Sequence, residues 1–114
     1  MIAVIFEVVP REGRHDAYLD AAARLKPVLE NIDGFVSIER YQSLADPGKL
    51  LSLSYWRDEE AVKAWRNQEA HRLTQARGRD EIFADYTLHV AHVLRRYGMH
   101  DRNEAPADSR AAHK

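Results

Sequence analysis

The chain has 114 residues and a mass of 13.1 kDa, which is enough for one domain with a hydrophobic core. Apolar residues make up 45% of the chain and charged residues 31%, the composition of a folded globular protein. The absence of cysteine excludes disulfide frameworks, thiolate metal sites and cysteine nucleophiles, and it fits a cytoplasmic protein. A net charge of -1 lacks the basic footprint of nucleic-acid-binding proteins, and no export or membrane segment is predicted.

Short apolar runs alternate with helical patterns along the chain. Strand patterns occur at four places, residues 2–9, 35–43, 50–56 and 86–97. Apolar residues at helical spacing predict a first helix over about 14–32. Asp58 is suited to cap a second helix that contains Trp65. Whether this helix continues past Asn67 stays open at the level of sequence.

The resulting order, β-α-β-β-α-β, predicts the α+β class and a ferredoxin-like split β-α-β fold, with an antiparallel four-stranded sheet and both helices on one face. Residues 1–98 would form this domain, and the small, charged, aperiodic residues of 99–114 predict a disordered tail. The first strand is apolar at both alternate sets of positions, although the helices can cover only one face. We therefore expect a homodimer in which a second copy covers the other face.

Aromatic and basic side chains between residues 55 and 97 are the candidates for chemistry. Trp65 and one of Tyr55 and Trp56 are placed to line a pocket between helix and sheet. His71 and Gln75 are four residues apart and would share one face of a helix. Core packing for Trp65 and a solvated face for the other two are the simpler alternatives. The histidines show no metal-ligand spacing, so no metal site is predicted.

The stretches 55–66, 69–79 and 86–97 together resemble the antibiotic biosynthesis monooxygenase (ABM) domain family. The resemblance extends over roughly residues 2–97. It implies a ferredoxin-like fold paired into a dimeric α+β barrel, in agreement with the element order read from periodicity.

The resemblance also implies an activity, the oxidation of an aromatic phenol or quinol by molecular oxygen without a metal or another cofactor. On that basis Trp65 would pack on the aromatic substrate and His71 would be the candidate base. Gln75 and Arg79 would bind oxygen atoms. The other aromatic residues expected at the substrate are Phe6, Tyr55 and Tyr86.

Two alternatives remain open on the sequence. IsdG-type members of the family degrade haem, with an Asn on strand one, a Trp on the second helix and an iron-ligating His about ten residues after that Trp. Here Trp65 fits, but Phe6 stands near the expected Asn and Gln75 stands ten residues after Trp65. His71 could replace that iron-ligating His only if the helix breaks. The second alternative is a dimeric ligand-binding or stress-response module without catalysis.

Overall fold

The computed structural model describes residues 1–68 and 81–112. Its strands are β1 (Ile2–Pro10), β2 (Phe35–Gln42), β3 (Leu50–Trp56) and β4 (Phe83–His92). Its helices are α1 (His15–Glu30), α2 (Glu59–Arg66) and α3 (Ala107–Ala112). The predicted α+β ferredoxin-like fold is confirmed. None of the helices in the described ranges has the length and apolarity that a membrane span requires.

The four strands form one antiparallel sheet in the order β2-β3-β1-β4. The two central strands, β1 and β3, therefore pair although the chain between them contains a helix and another strand. Ile2 of β1 lies opposite Trp56 of β3, and Val8 lies opposite Leu50. Because directly opposed residues point to the same face, these four side chains all face the helices.

Two hydrophobic clusters hold the helices on this face. One lies near the start of β1 and the other near its end. The buried members of the first cluster are Ile2, Leu29, Trp56, Ala61 and Val62. The buried members of the second are Val8, Tyr18, Leu50 and Ile82.

The turn between α1 and β2 fixes where α2 begins. Gly34 has a φ of 93°, a conformation that residues with a side chain rarely adopt. Its carbonyl accepts a hydrogen bond of 2.7 Å from the backbone N–H of Arg57. A Cβ atom at Gly34 would lie 2.6 Å from the Cβ of Ala61. The first turn of α2 therefore packs directly against the backbone of this turn.

Strand β4 differs from the predicted range of 86–97. It begins at Phe83 because β1 continues to Pro10 and supplies a partner there, with a register shift between Val9 and Pro10. It ends at His92, which lies opposite Ile2. Ile2 is the first residue of β1, and past this pair the backbone N–H of Val93 still donates a hydrogen bond of 3.0 Å to the carbonyl of Met1.

Composition predicts a disordered tail over residues 99–114, and within 99–112 the structure contains helix α3 and several arginine contacts. Arg102 lies at the centre of this segment, with its guanidinium 5.3 Å from the centroid of the Tyr97 ring. It donates hydrogen bonds of 3.2 Å to the carbonyl of Gly98 and 3.1 Å to that of Ser109. Side-chain contacts to backbone carbonyls of this kind leave no periodic pattern in a sequence.

Candidate active site

A cavity of about 210 Å³ lies between the helix-facing side of the sheet and helices α1 and α2. Its floor consists of two rows of side chains that cross the sheet in the order of the strands. One row, given by the strand register, is Arg40, Ser52, Phe6 and Leu88. The other is Ile38, Ser54, Val4 and Val90. All eight residues line the cavity.

The two serines of β3 are the reason that the floor leaves room for a ligand. Ser52 and Ser54 lie between the large residues Leu50 and Trp56 on the same face of the strand, and both serines are buried. Serine is smaller than the leucine or valine that would fill such positions in a core. The hydroxyl of Ser54 accepts a hydrogen bond of 3.0 Å from the indole Nε1 of Trp56, which fixes the orientation of that ring.

Trp65 of α2 forms part of the roof. Its ring stacks on that of Trp56, with centroids 6.4 Å apart and an interplanar angle of 25°. Val62, one turn earlier on α2, also lines the cavity, and Leu25 and Leu29 of α1 complete the apolar wall. Trp65 thus packs against the core and contributes to the cavity surface.

One end of the cavity is aromatic. The Phe6 ring lies 5.6 Å from the rings of both Phe83 and Tyr86, measured between centroids. Tyr18 of α1 contacts Phe83 edge-on, with centroids 6.0 Å apart. Tilted and edge-on contacts at these distances are favourable geometries for aromatic rings. They give this end of the cavity flat apolar surfaces that suit a planar ligand.

The position of the roof depends on the cap of α2. Asp58 accepts a hydrogen bond of 2.9 Å from the backbone N–H of Ala61, as its sequence position predicts. That bond, followed by the one from the side chain of Arg57, lowers the pKa of Asp58 below its ordinary value. Arg57 also holds Asp33 through contacts of 3.1 and 3.2 Å. These exposed contacts connect the start of α2 to the turn before β2.

The structure brings three of the predicted site residues together. Trp65, Phe6 and Tyr86 all line the cavity. Tyr55 is separated from them, because it lies between Ser54 and Trp56 on β3 and alternation directs it to the opposite face of the sheet. Tyr55 is therefore not among the residues that line this cavity, and its contact with a substrate stays a prediction.

Three further predicted residues, His71, Gln75 and Arg79, lie outside the described residues. The helix that precedes them ends at Arg66, with Asn67 as its C-cap. This resolves the open question about the end of the second helix. Within residues 1–68 and 81–112 no group of three or more His, Asp or Glu side chains is arranged to hold a metal ion.

Sequence reasoning missed Arg40 and the two serines of the floor. A signal for Arg40 was present, because it stands two residues after Ile38 in an alternating strand and so shares the apolar face. The serines occupy alternate positions between Leu50 and Trp56 in the same way. Small or charged residues at core-facing positions of a strand indicate a cavity.

Comparison with known proteins places the chain in a family. The model of the family described as antibiotic biosynthesis monooxygenase matches residues 1–77. The chain belongs to this family.

The relatives of this ABM protein include a jasmonate monooxygenase ABM of the fungus Pyricularia oryzae, 48% identical over 93 residues, which are 82% of this chain. The chain spans 43% of that relative's length. The protein YqjZ of Bacillus subtilis is 31% identical over 82% of this chain and 79% of its own length. The solved structure of Rv0793 from Mycobacterium tuberculosis superposes with a TM-score of 0.76 at 20% identity, over 85% of this chain and 98% of its own. That structural likeness supports the fold.

Proposed function

We propose that this protein is a cofactor-independent monooxygenase that oxidises a small aromatic phenol or quinol with molecular oxygen. The observation that carries the proposal is the cavity between sheet and helices, with its aromatic end, in a chain that belongs to the ABM family. The cavity volume of about 210 Å³ lies below the roughly 300–1,000 Å³ of pockets that enclose drug-sized ligands. A substrate of one or two fused rings therefore suits it.

The reaction needs little from the protein beyond positioning and proton transfer, because an ionised phenol is itself the reductant. A phenol and one molecule of dioxygen give a quinone and one water: one oxygen atom forms the new carbonyl and the other is reduced to water. Trp65, Phe6 and Tyr86 would hold the ring. On the family resemblance, His71 would remove the phenolic proton, and Gln75 and Arg79 would stabilise oxygen atoms.

The name of the Pyricularia relative supplies one substrate to include. That protein is named as a monooxygenase of jasmonate. This chain spans less than half of that relative, and jasmonate has no phenol group that could supply the two electrons for the second oxygen atom. Jasmonate is therefore a separate candidate, to be assayed only in the presence of an added two-electron donor such as a reduced nicotinamide.

Oxygen consumption tests the proposal directly. Purified protein would be supplied with a panel of phenols and quinols in an oxygen-electrode cell that contains a metal chelator and no added cofactor. We expect catalytic uptake with at least one compound, with one atom from labelled dioxygen in the product. Trp65→Ala should weaken substrate binding, whereas Leu19→Ala on the exposed side of α1 should leave uptake unchanged. Absence of enzyme-dependent uptake across the panel would contradict the proposal.

Haem degradation is the second candidate, because the end of α2 removes one of the objections that the sequence raises to it. On an uninterrupted helix, six residues after Trp65 would place His71 on a different face. Since α2 ends at Arg66, the helical spacing between Trp65 and His71 no longer argues against His71 as the iron ligand. Phe6 still stands near the position where haem-degrading members of the family carry an Asn, and Gln75 stands ten residues after Trp65, so we keep haem as the alternative.

We further propose that the protein acts as a homodimer through the face of the sheet opposite the helices. Half-buried apolar side chains occupy this face in both central strands, namely Ile5, Leu51, Leu53 and Tyr55. A second copy of the same face would remove them from water. The proposed contact also gives Tyr55 a place between subunits.

A further inference from the structure

Arg40 places a permanent positive charge on an otherwise largely apolar floor. It stands on β2, directly opposite Ser52 of β3, and the next residue in the same row is Phe6. Arg40 therefore stands at the end of the row that leads to the aromatic part of the cavity, and its side chain lines the cavity. No Asp or Glu lines the cavity among the described residues.

The Nε atom of Arg40 is buried, and it has no hydrogen-bond partner among the described residues. Arginine stays ionised at any physiological pH. A buried donor on a charged group that lacks a partner is costly, so its retention at this position indicates that a ligand supplies the missing acceptor. A carboxylate matches the guanidinium fork, because two oxygen atoms can accept two parallel N–H bonds.

We propose that the cavity selects an aromatic ligand that bears a carboxylate, and that Arg40 binds this carboxylate. The inference rests on the proposed function in one respect, because it takes the bound ligand to be the substrate that the protein oxidises. It then narrows the substrate class to phenolic or quinolic carboxylic acids. The ring would lie towards Phe6 and Trp65, and the acid group would lie at the β2 edge of the floor, beside the hydroxyl of Ser52.

A pair of probes of nearly the same shape, one anionic and one neutral, tests this assignment. The affinities of 2-naphthoate and its neutral analogue 2-naphthamide would be measured by titration calorimetry at neutral pH and low salt. We expect the wild-type protein to bind the acid at least about tenfold more tightly, the effect of a charge-assisted hydrogen bond. Arg40→Met should reduce this preference to near unity, and Arg40→Lys should retain part of it because the charge remains.

Two arginines provide matched controls. Arg24→Met removes the same charge from an exposed position on α1 outside the cavity, and the preference for the acid should survive. Arg66 lines the cavity from α2 but is exposed, so Arg66→Met should have a smaller effect than Arg40→Met. Circular dichroism would establish that each variant is folded, and the wild-type ratio of affinities is informative even if Arg40→Met does not fold.

Equal affinity for the two probes, binding of neither, or a preference that follows Arg66 instead of Arg40 would overturn the assignment. Because the titration involves no turnover, its outcome is independent of oxygen uptake. An acid preference without oxidation of any compound would refute the monooxygenase proposal and leave the carboxylate site standing. Oxidation of a compound without an acid preference would support the monooxygenase proposal and refute the carboxylate site.

Discussion

Replacement of Gly34 by alanine should destabilise the protein through two separable effects. The first is conformational, since a residue with a Cβ atom at a φ of 93° costs roughly 1–2 kcal/mol. The second is steric. The new Cβ would lie 2.6 Å from the Cβ of Ala61 and 3.3 Å from a guanidinium nitrogen of Arg57, and overpacking of this kind costs about 1–3 kcal/mol. Together they predict a loss of about 2–5 kcal/mol in the free energy of unfolding.

Gly13 isolates the conformational part. Its φ is 79°, and nothing lies within 4 Å of the position that a Cβ atom would take. Gly13→Ala should therefore cost only about 1–2 kcal/mol. The measurement is urea unfolding of both variants at one fixed protein concentration, followed by the fluorescence of the buried Trp56.

A double-mutant cycle isolates the steric part. Ala61→Gly alone should cost about 1 kcal/mol as a glycine in a helix, but in the Gly34→Ala background it removes the clash. We expect a favourable coupling of about 1–3 kcal/mol between the two substitutions. Equal destabilisation by Gly13→Ala and Gly34→Ala, together with no coupling to Ala61, would refute the argument that α2 is seated on this turn.

Three further predictions concern the ligand, the assembly and pH. A cofactor-independent oxygenase should give no saturable Soret shift on titration with haem; a shift that His71→Ala abolishes would instead favour haem degradation. Leu53→Glu on the proposed dimer face should yield a monomer by light scattering, whereas the exposed Leu19→Glu should not. Because the folded-state pKa of Asp58 is depressed below 3.8, its charge stabilises the fold above that pH and the contribution is lost as pH falls through the folded pKa. The stability difference between wild type and Asp58→Asn should thus shrink below about pH 4, as acid titration of unfolding would show.

The fold was largely predictable because its determinants are local. Alternating and helical spacings placed β3 and α1 within about two residues of their bounds in the structure, and the side-chain chemistry of Asp58 marked the start of α2. Strand β4 was displaced because the end of a strand depends on the length of its partner. Its own apolar residues continue past His92, but β1 begins opposite that residue.

The candidate site was less predictable because it depends on register between strands that are distant in sequence. Trp65 was identified as an aromatic residue on a helix, a property visible in the local sequence. Arg40 was not identified, because its place in the site depends on the strand register that puts it in one row with Ser52 and Phe6. A shift of one residue in either pairing would direct Arg40 to the other face.

The two serines of β3 have a consequence for how this family can diversify. Backbone hydrogen bonds hold a strand in its sheet whatever side chains it carries, so exchange of Ser52 or Ser54 for a larger residue would shrink the cavity and leave the ladder intact. Exchange in the reverse direction at a neighbouring floor position would enlarge it. Substrate range could then evolve by single substitutions along one strand, without insertions, new loops or any change of topology.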